Sequence, residues 1–218
     1  MSETKKGVVI VDDHPLVRDS VSRLINHEAD MAVCGEAENA DEALQIIGKT
    51  SPSLVIVDIT LKHSSGLELI KAIKTEYPQV PILVLSMHEE SLYADRALRA
   101  GAGGYVSKHQ PADEVLQAVR RVIAGNIYLS EKMTSTYLKS LMTAGSKMAQ
   151  PAVDRLADRE LEVLNLIGRG MTVRDIAREL QLGTPTVETY RARIKEKLDL
   201  KNAAELQHFA FRWVRERE

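Results

Sequence analysis

Short apolar runs rich in β-branched residues alternate with longer amphipathic stretches over the first 125 residues of the chain. The longer stretches repeat apolar residues at helical spacing and lie at 16–25, 40–47, 67–77, 92–100 and 115–123. The short runs have the length of strands and lie at 8–11, 31–33, 54–57, 82–85 and 104–106. This alternation predicts an α/β fold, a five-stranded doubly wound parallel sheet in the order 2-1-3-4-5 with helices on both faces.

The rest of the chain shows no strand pattern. Residues 126–153 are rich in serine, threonine and methionine, and only Tyr137, Leu138, Leu141 and Met142 have the spacing of a short amphipathic helix. Four helical segments follow, at about 158–168, 172–180, 184–198 and 202–215. We therefore predict an α/β domain at 1–125, a linker at 126–153 and an all-α four-helix domain at 154–218.

Composition narrows the class of protein. The net charge is −2, yet residues 1–125 carry 13 Lys and Arg against 18 Asp and Glu. No apolar run approaches the roughly 18 residues of a membrane span, and the N-terminus lacks the pattern of a secretory signal. The single cysteine cannot form an internal disulfide, and the six histidines lack zinc-ligand spacing. The sequence therefore predicts a cytoplasmic protein with no membrane partner.

Polar side chains stand at the ends of four of the five predicted strands. Asp12 and Asp13 follow the first strand, Asp58 follows the third, Ser86 ends the fourth, and Lys108 follows the fifth. In a sheet of this order, ligands bind beyond the carboxyl ends of the strands, beside the point where the strand order reverses. We expect these five side chains to meet in one crevice.

Three carboxylates about 4 Å apart would repel each other by roughly 4 kcal/mol per pair at an effective dielectric of 20. Such a cluster suits a hard divalent cation, and Mg²⁺ is the expected occupant. Asp58 would then be a nucleophile for a phosphoryl group, with a positive charge from Lys108 and a hydroxyl donor from Ser86. Each residue alone has a structural alternative, such as Asp12 as a helix N-cap or Lys108 as a surface charge.

The pattern around residues 172–198 predicts a helix-turn-helix. Thr172 and Asp175 have the spacing of a capping box, and Gly183 lies in a short turn before Thr184 and Pro185, a cap and a first-turn proline for the next helix. That helix is long enough for the major groove of DNA. A plain helical docking module remains an alternative for such a pattern.

A helical wheel separates the faces of this second helix. Val187, Ile194 and Leu198 share the face expected to be buried. We expect Glu188 to accept a hydrogen bond from a cytosine amino group, and the basic residues to contact phosphates. The predicted DNA-facing residues are Thr186, Glu188, Thr189, Arg191, Ala192, Arg193 and Lys195. The apolar stripe of the last helix is either core or in part a homodimer seam.

Residues 7–125 resemble the receiver domain of two-component response regulators, which has a flavodoxin-like fold. The matching residues are Val11-Asp12-Asp13-His14-Pro15, Asp58, Gly66, Leu85-Ser86, Gly101–Tyr105 and Val106-Ser107-Lys108. The resemblance implies that Asp58 is the phosphoacceptor. It also implies that Asp12, Asp13, Asp58 and the backbone carbonyl of Thr60 hold Mg²⁺, and that Ser86 and Tyr105 form a switch pair. Lys62 departs from the family pattern, in which proline is frequent at that position.

Residues 155–214 resemble the LuxR-type DNA-binding domain, through Leu156–Leu164, Gly170–Ala177 and Thr186–Leu198. Ala157 departs from that pattern, because the family often has a threonine helix cap there. Both domains in this order resemble the NarL/FixJ subfamily of response regulators.

The resemblance implies a transcription factor, not an enzyme, that a sensor histidine kinase phosphorylates and that binds double-stranded promoter DNA as a homodimer. Two alternatives to this function exist. A small-molecule phosphatase would need a second acid two residues after Asp58, where the chain has Thr60. A receiver that no longer takes phosphate and acts through protein contacts remains the other alternative.

Overall fold

A computed structural model of the chain describes residues 5–61, 64–135, 137 and 152–215. These residues divide into two compact units, one within 1–143 and the other within 144–218. The first unit is an α/β fold and the second is helical. None of the helices in the described part of the chain has the length and apolar content that crossing a membrane requires.

Five parallel strands form the sheet of the first unit, and their order, β2-β1-β3-β6-β7, confirms the predicted topology. The strands are β1 (Lys6–Val11), β2 (Met31–Ala37), β3 (Leu54–Val57), β4 (Thr60–Leu61), β5 (Ser64–Ser65), β6 (Ile82–Ser86) and β7 (Gly104–Ser107), of which β4 and β5 form a separate antiparallel pair. The valines, leucines and isoleucines of β1, β3 and β6 are buried on both faces, as strands between two layers of helices require.

Five helices cover the two faces of this sheet. They are α1 (Pro15–Asn26), α2 (Ala40–Thr50), α3 (Gly66–Glu76), α4 (Glu90–Ala100) and α5 (Ala112–Ile123). Their ends follow the sequence signals: Pro15 lies in the first turn of α1, and Asn39 accepts a hydrogen bond from the backbone amide of Glu42 at the start of α2. Gly101 ends α4 in the left-handed conformation, with φ 109°.

The connection from β3 to α3 passes through the β4–β5 hairpin and returns to the backbone of Asp58. The amide of Gly66 donates to the carbonyl of Ile59 at 2.6 Å. A Cβ atom on Gly66 would lie 1.9 Å from the carbonyl oxygen of Asp58, so only glycine fits this approach. Lys62, where the sequence departs from the receiver pattern, lies outside the described residues.

The chain beyond α5 returns to the open edge of the sheet. Tyr128 forms a parallel bridge with Gly104: its carbonyl accepts from the amide of Tyr105 at 2.9 Å, and its amide donates to the carbonyl of Gly103 at 3.0 Å. The amide of Ser130 donates to a carboxylate oxygen of Glu90, at the start of α4, at 2.8 Å. The first residues of the predicted linker thus pack as part of the first unit. Of the predicted linker helix, Leu138, Leu141 and Met142 lie outside the described residues.

The described part of the second unit, 152–215, begins with a 3-10 turn (Ala152–Arg155), which four α-helices follow. These are α6 (Asp158–Gly168), α7 (Val173–Glu179), α8 (Thr184–Lys197) and α9 (Ala203–Arg215), with bounds within one residue of those predicted. Ala157 offers no capping side chain to α6, and the carboxylate of Glu160 accepts from the Ala157 amide at 2.7 Å instead. On α9, Leu206, Ala210, Trp213 and Val214 are buried.

We expect Gly66→Ala to destabilise the first unit by about 1–3 kcal/mol, because its new methyl group would displace the backbone of Asp58. Thermal unfolding followed by circular dichroism would measure the change. Gly7→Ala is a matched control, since its Cβ would meet only the movable side chain of Cys34, at 3.0 Å. Equal melting temperatures for Gly66→Ala and the unaltered chain would contradict the steric explanation.

Candidate functional site

Three strand ends of the first unit meet in one buried contact. Asp12 follows β1, Asp58 follows β3, and Lys108 follows β7; all three side chains are almost fully buried. The Lys108 ammonium lies 2.5 Å from Asp12 Oδ2 and 2.6 Å from Asp58 Oδ2. Three of the five strand-end side chains predicted to converge are therefore in direct contact, and Lys108 is an internal cation for two of the carboxylates.

The electrostatics of this contact favour the charged lysine. Burial of Lys108 opposes its charge, but the charges of Asp58 and Asp12, with the hydrogen bonds to them, outweigh that effect and raise the pKa of Lys108 above its ordinary value. A raised lysine pKa contributes stability below the unfolded-state pKa, and this contribution is lost only as the pH rises through the folded-state pKa. The contact is thus fully formed at neutral pH.

Asp13 and His14 complete the acidic cluster. His14 Nδ1 lies 2.7 Å from Asp13 Oδ1 and 3.4 Å from Asp12 Oδ1, and the His14 amide donates to Asp12 Oδ1 at 2.9 Å. His14 occupies the N-cap position of α1, and its side chain makes no capping hydrogen bond. Asp12 is therefore not the cap of α1, since its carboxylate faces the cluster.

The cluster has the donor atoms of a metal site. Ligand atoms of Asp12, Asp13, His14 and Asp58 all lie within 4.8 Å of one another. Asp58 Oδ1 is buried and has no hydrogen-bond partner within the described parts of the chain, so one carboxylate oxygen is available to a ligand. Carboxylate oxygens are the ligands that Mg²⁺ prefers, and the residues present therefore fit that ion.

The predicted switch residues lie beside this cluster. Ser86, at the end of β6, is fully buried, and so is the ring of Tyr105, which therefore points into the fold. The Tyr105 hydroxyl donates to the carbonyl of His88 at 2.8 Å. Burial raises the pKa of Tyr105, a hydrogen bond with Ser86 works in the opposite direction, and the charge of Asp58 adds to the rise. Tyr105 is thus a neutral hydrogen-bond donor.

Sequence reasoning missed His88. Its Nε2 lies 2.8 Å from the hydroxyl of Thr60, and its ring lies 4.8 Å from that of Tyr93. His88 lies in the loop after Ser86. Its ring contacts Thr60 in the loop after Asp58, and its carbonyl accepts from Tyr105 on β7, so it connects these three parts of the receiver. Its place two residues beyond the end of a strand was the available signal.

The second candidate site is the helix-turn-helix formed by α7 and α8. Thr172 and Asp175 form the predicted capping box at the start of α7. The turn differs in detail from the prediction. Gln181 takes the left-handed conformation, with φ 52°, whereas Gly183 has an ordinary φ of −72° as the N-cap of α8. The helix begins at Thr184, so Thr184 is the first helical residue and not the cap.

The exposure of α8 separates the predicted DNA-facing residues into two groups. Val187 and Ile194 are fully buried, as predicted for the core face, whereas Leu198, at the C-cap of α8, is half-buried. Arg191 and Lys195 are half-buried, and the Arg191 guanidinium donates to Glu188 Oε1 at 2.8 Å. The exposed residues are Thr186, Glu188, Thr189, Ala192 and Arg193.

Comparisons with known proteins match both units. The response regulator receiver domain matches residues 8–120, and the LuxR family of bacterial regulatory proteins matches residues 154–210. The chain is 34% identical over 209 residues to the oxygen regulatory protein NreC of Staphylococcus haemolyticus, covering 94% of this chain and 96% of that protein.

Two further relatives agree with these matches. The transcription regulator BvgA of Bordetella pertussis is 36% identical over 205 residues, covering 94% of this chain and 96% of BvgA. Among solved structures, RcsB of Salmonella enterica serovar Typhimurium, bound to promoter P1flhDC in the presence of phosphomimetic BeF3⁻, has a TM-score of 0.61 at 25% identity. That comparison covers 95% of this chain and 98% of RcsB.

We expect Lys108→Met to lower the free energy of unfolding by about 3 kcal/mol without metal, because it leaves two buried carboxylates without their cation. Added Mg²⁺ should restore more stability to this variant than to the unaltered chain, since it replaces a missing positive charge. Thermal unfolding with and without Mg²⁺ tests both effects, and Lys49→Met, at an exposed lysine, is the control. An unchanged melting temperature for Lys108→Met would show that the contact does not stabilise the fold.

Proposed function

Because the chain belongs to the response regulators that join a receiver domain to a LuxR-type DNA-binding domain, we propose that it accepts a phosphoryl group on Asp58 and then binds promoter DNA. A receiver with this C-terminal domain makes the chain a transcriptional response regulator. The observation that carries the phosphorylation proposal is the meeting of Asp12, Asp58 and Lys108 at three strand ends, with Asp58 Oδ1 left without a partner in the described residues.

The acceptor chemistry follows from the surroundings of Asp58. Its carboxylate oxygen attacks the phosphorus of a phosphohistidine on a sensor kinase, so a new P–O bond forms as the P–N bond breaks and the imidazole leaves. Lys108, already held between the carboxylates, supplies positive charge to the phosphoryl oxygens. Ser86 supplies a hydroxyl donor at the end of the adjacent strand.

Asp12, Asp13 and Asp58, with the backbone carbonyl of Thr60, are the proposed Mg²⁺ ligands. When bound, the ion supplies the counter-charge that lets a phosphate approach a carboxylate. The buried Asp12 and Asp58 are held in place by Lys108 before any ligand arrives, so the pocket is already arranged for it.

The proposed signal leaves the pocket through Ser86 and Tyr105. A phosphate on Asp58 draws the Ser86 hydroxyl toward it, which changes the hydrogen bonding available to the Tyr105 hydroxyl. The Tyr105 amide donates a hydrogen bond to the Tyr128 carbonyl, and the Ser130 amide donates one to the Glu90 carboxylate. Any shift of β7 or of the start of α4 therefore moves the segment that leads out of the receiver.

The output is proposed to be DNA binding by α8. Thr186, Glu188, Thr189, Ala192 and Arg193 form its exposed surface, with Lys195 at the edge. A two-fold operator requires a two-fold protein, and we propose that phosphorylated receivers pair to present two recognition helices one DNA turn apart.

The proposed domain organisation is a receiver at 1–125, a linker at 126–153 and a DNA-binding domain at 154–218. The partners are a sensor histidine kinase, double-stranded promoter DNA and a second copy of the chain, and the proposed location is the cytoplasm, where promoter DNA lies.

Asp58→Ala should abolish phosphate uptake from a small phosphodonor in the presence of Mg²⁺, because it removes the attacking oxygen. Chelation of Mg²⁺ should have the same effect on the unaltered chain. Intact-mass measurement detects the added phosphate, and Asp19→Ala, at an exposed carboxylate on α1, is the control that should remain phosphorylated. Phosphate on the Asp58→Ala chain would place the acceptor elsewhere.

Phosphorylation should strengthen binding to a two-fold DNA site by at least about 10-fold, a gain of about 1.4 kcal/mol. Titration of labelled duplex at one fixed salt concentration measures the gain, since affinity for DNA depends steeply on salt. The Asp58→Ala chain treated with the same phosphodonor is the control. Equal affinities with and without phosphate would favour the receiver that acts independently of phosphorylation.

A further inference from the structure

Arg191 occupies an unusual position on the recognition helix α8. It lies four residues after Val187 and three before Ile194, so it shares the stripe of those two fully buried residues. Its side chain is only 21% exposed, whereas that of the neighbouring Glu188 is 57% exposed. A residue in this position does not extend outward as a freely mobile phosphate contact would.

The guanidinium of Arg191 is committed to the protein. One of its terminal nitrogens donates to Glu188 Oε1 at 2.8 Å, and its Nε is buried, with no hydrogen-bond partner within the described parts of the chain. An exposed ion pair contributes little because two long side chains must be ordered to form it. Here the stem of Arg191 is already ordered by burial, so the group that gains a fixed position is the Glu188 carboxylate.

A fixed carboxylate has a use at this place. Recognition helices contact base edges with residues of their N-terminal part, and Glu188 lies in the second turn of α8. A glutamate oxygen can accept from the exocyclic amino group of cytosine, but an unneutralised carboxylate is repelled by DNA phosphates. Arg191 donates to Glu188 Oε1, so it can neutralise the carboxylate and leave Oε2 to accept a hydrogen bond from a base.

We infer that Arg191 is a positioning residue for base recognition: it orients and neutralises Glu188, which reads a cytosine in the major groove. This inference rests on the proposed DNA-binding function and assigns Arg191 a different role from Arg193. Arg193 is exposed and makes no ion pair with any residue that the structure describes, as suits a contact with the phosphate backbone.

The test compares affinities of the full chain, treated with a small phosphodonor and Mg²⁺, for duplexes that differ by one base pair in the half-site it selects. At the base pair read by Glu188, the unaltered chain should favour one base by about 10-fold. Glu188→Ala should reduce this ratio to about 2-fold or less. Arg191→Met, which keeps an unbranched apolar stem without the charge, should reduce the ratio at the same base pair.

The variant with both Glu188→Ala and Arg191→Met should keep the same residual base preference as Glu188→Ala alone, because the two residues act as one unit. Arg191→Lys should retain part of the preference, since it keeps the charge but not the planar fork. Arg193→Ala is the matched control: it should weaken binding to every duplex alike and leave the ratio unchanged. Unfolding curves should show that Arg191→Met is folded at the assay temperature.

Three results would overturn the inference while leaving the proposed function in place. Arg191→Met could keep the full preference, weaken all duplexes equally as Arg193→Ala does, or change the preference at a different base pair from Glu188→Ala. If Arg191→Met is unfolded, Arg191→Lys decides, and full preference or loss at another base pair then counts against the inference. An unaltered chain that binds DNA without any sequence preference would overturn the proposed sequence-specific function as well.

Discussion

One buried lysine determines how the receiver's acidic pocket can exist. Asp12 and Asp58 are almost fully removed from water, and two such carboxylates are costly to place side by side. The Lys108 ammonium contacts both, so the strand ends of β1, β3 and β7 are joined through one cation. The sheet order brings these three side chains together, and their mutual attraction stabilises the strand ends against the repulsion of the two carboxylates.

Hydrogen bonds extend from the surroundings of this pocket to β7, the edge strand of the sheet. Ser86 and Tyr105 follow the pocket along β6 and β7, and His88 joins the loop after Asp58 to the tyrosine hydroxyl. Both hydrogen bonds are 2.8 Å long and partly buried. The proposed switch residues are therefore attached to the strand-end loops that form the pocket.

Much of this could be predicted from the sequence, because strand periodicity and strand-end residues are local signals. The sheet order and the meeting of Asp12, Asp58 and Lys108 follow from them. The left-handed Gln181 could not be predicted, since glycine at 183 was the stronger turn signal. The burial of Arg191 and the return of Tyr128 to β7 depend on packing between distant parts of the chain, which periodicity does not contain.

The return of Tyr128 also bears on how two copies of this chain can associate. An edge strand offers unpaired amides and carbonyls to any extended segment, and is a common route to unwanted sheet extension between molecules. At β7, the amide of Tyr105 and the carbonyl of Gly103 are already bonded to Tyr128. Intermolecular strand addition at this part of the edge would first have to displace the chain's own backbone, so the segment after α5 protects β7 from sheet extension.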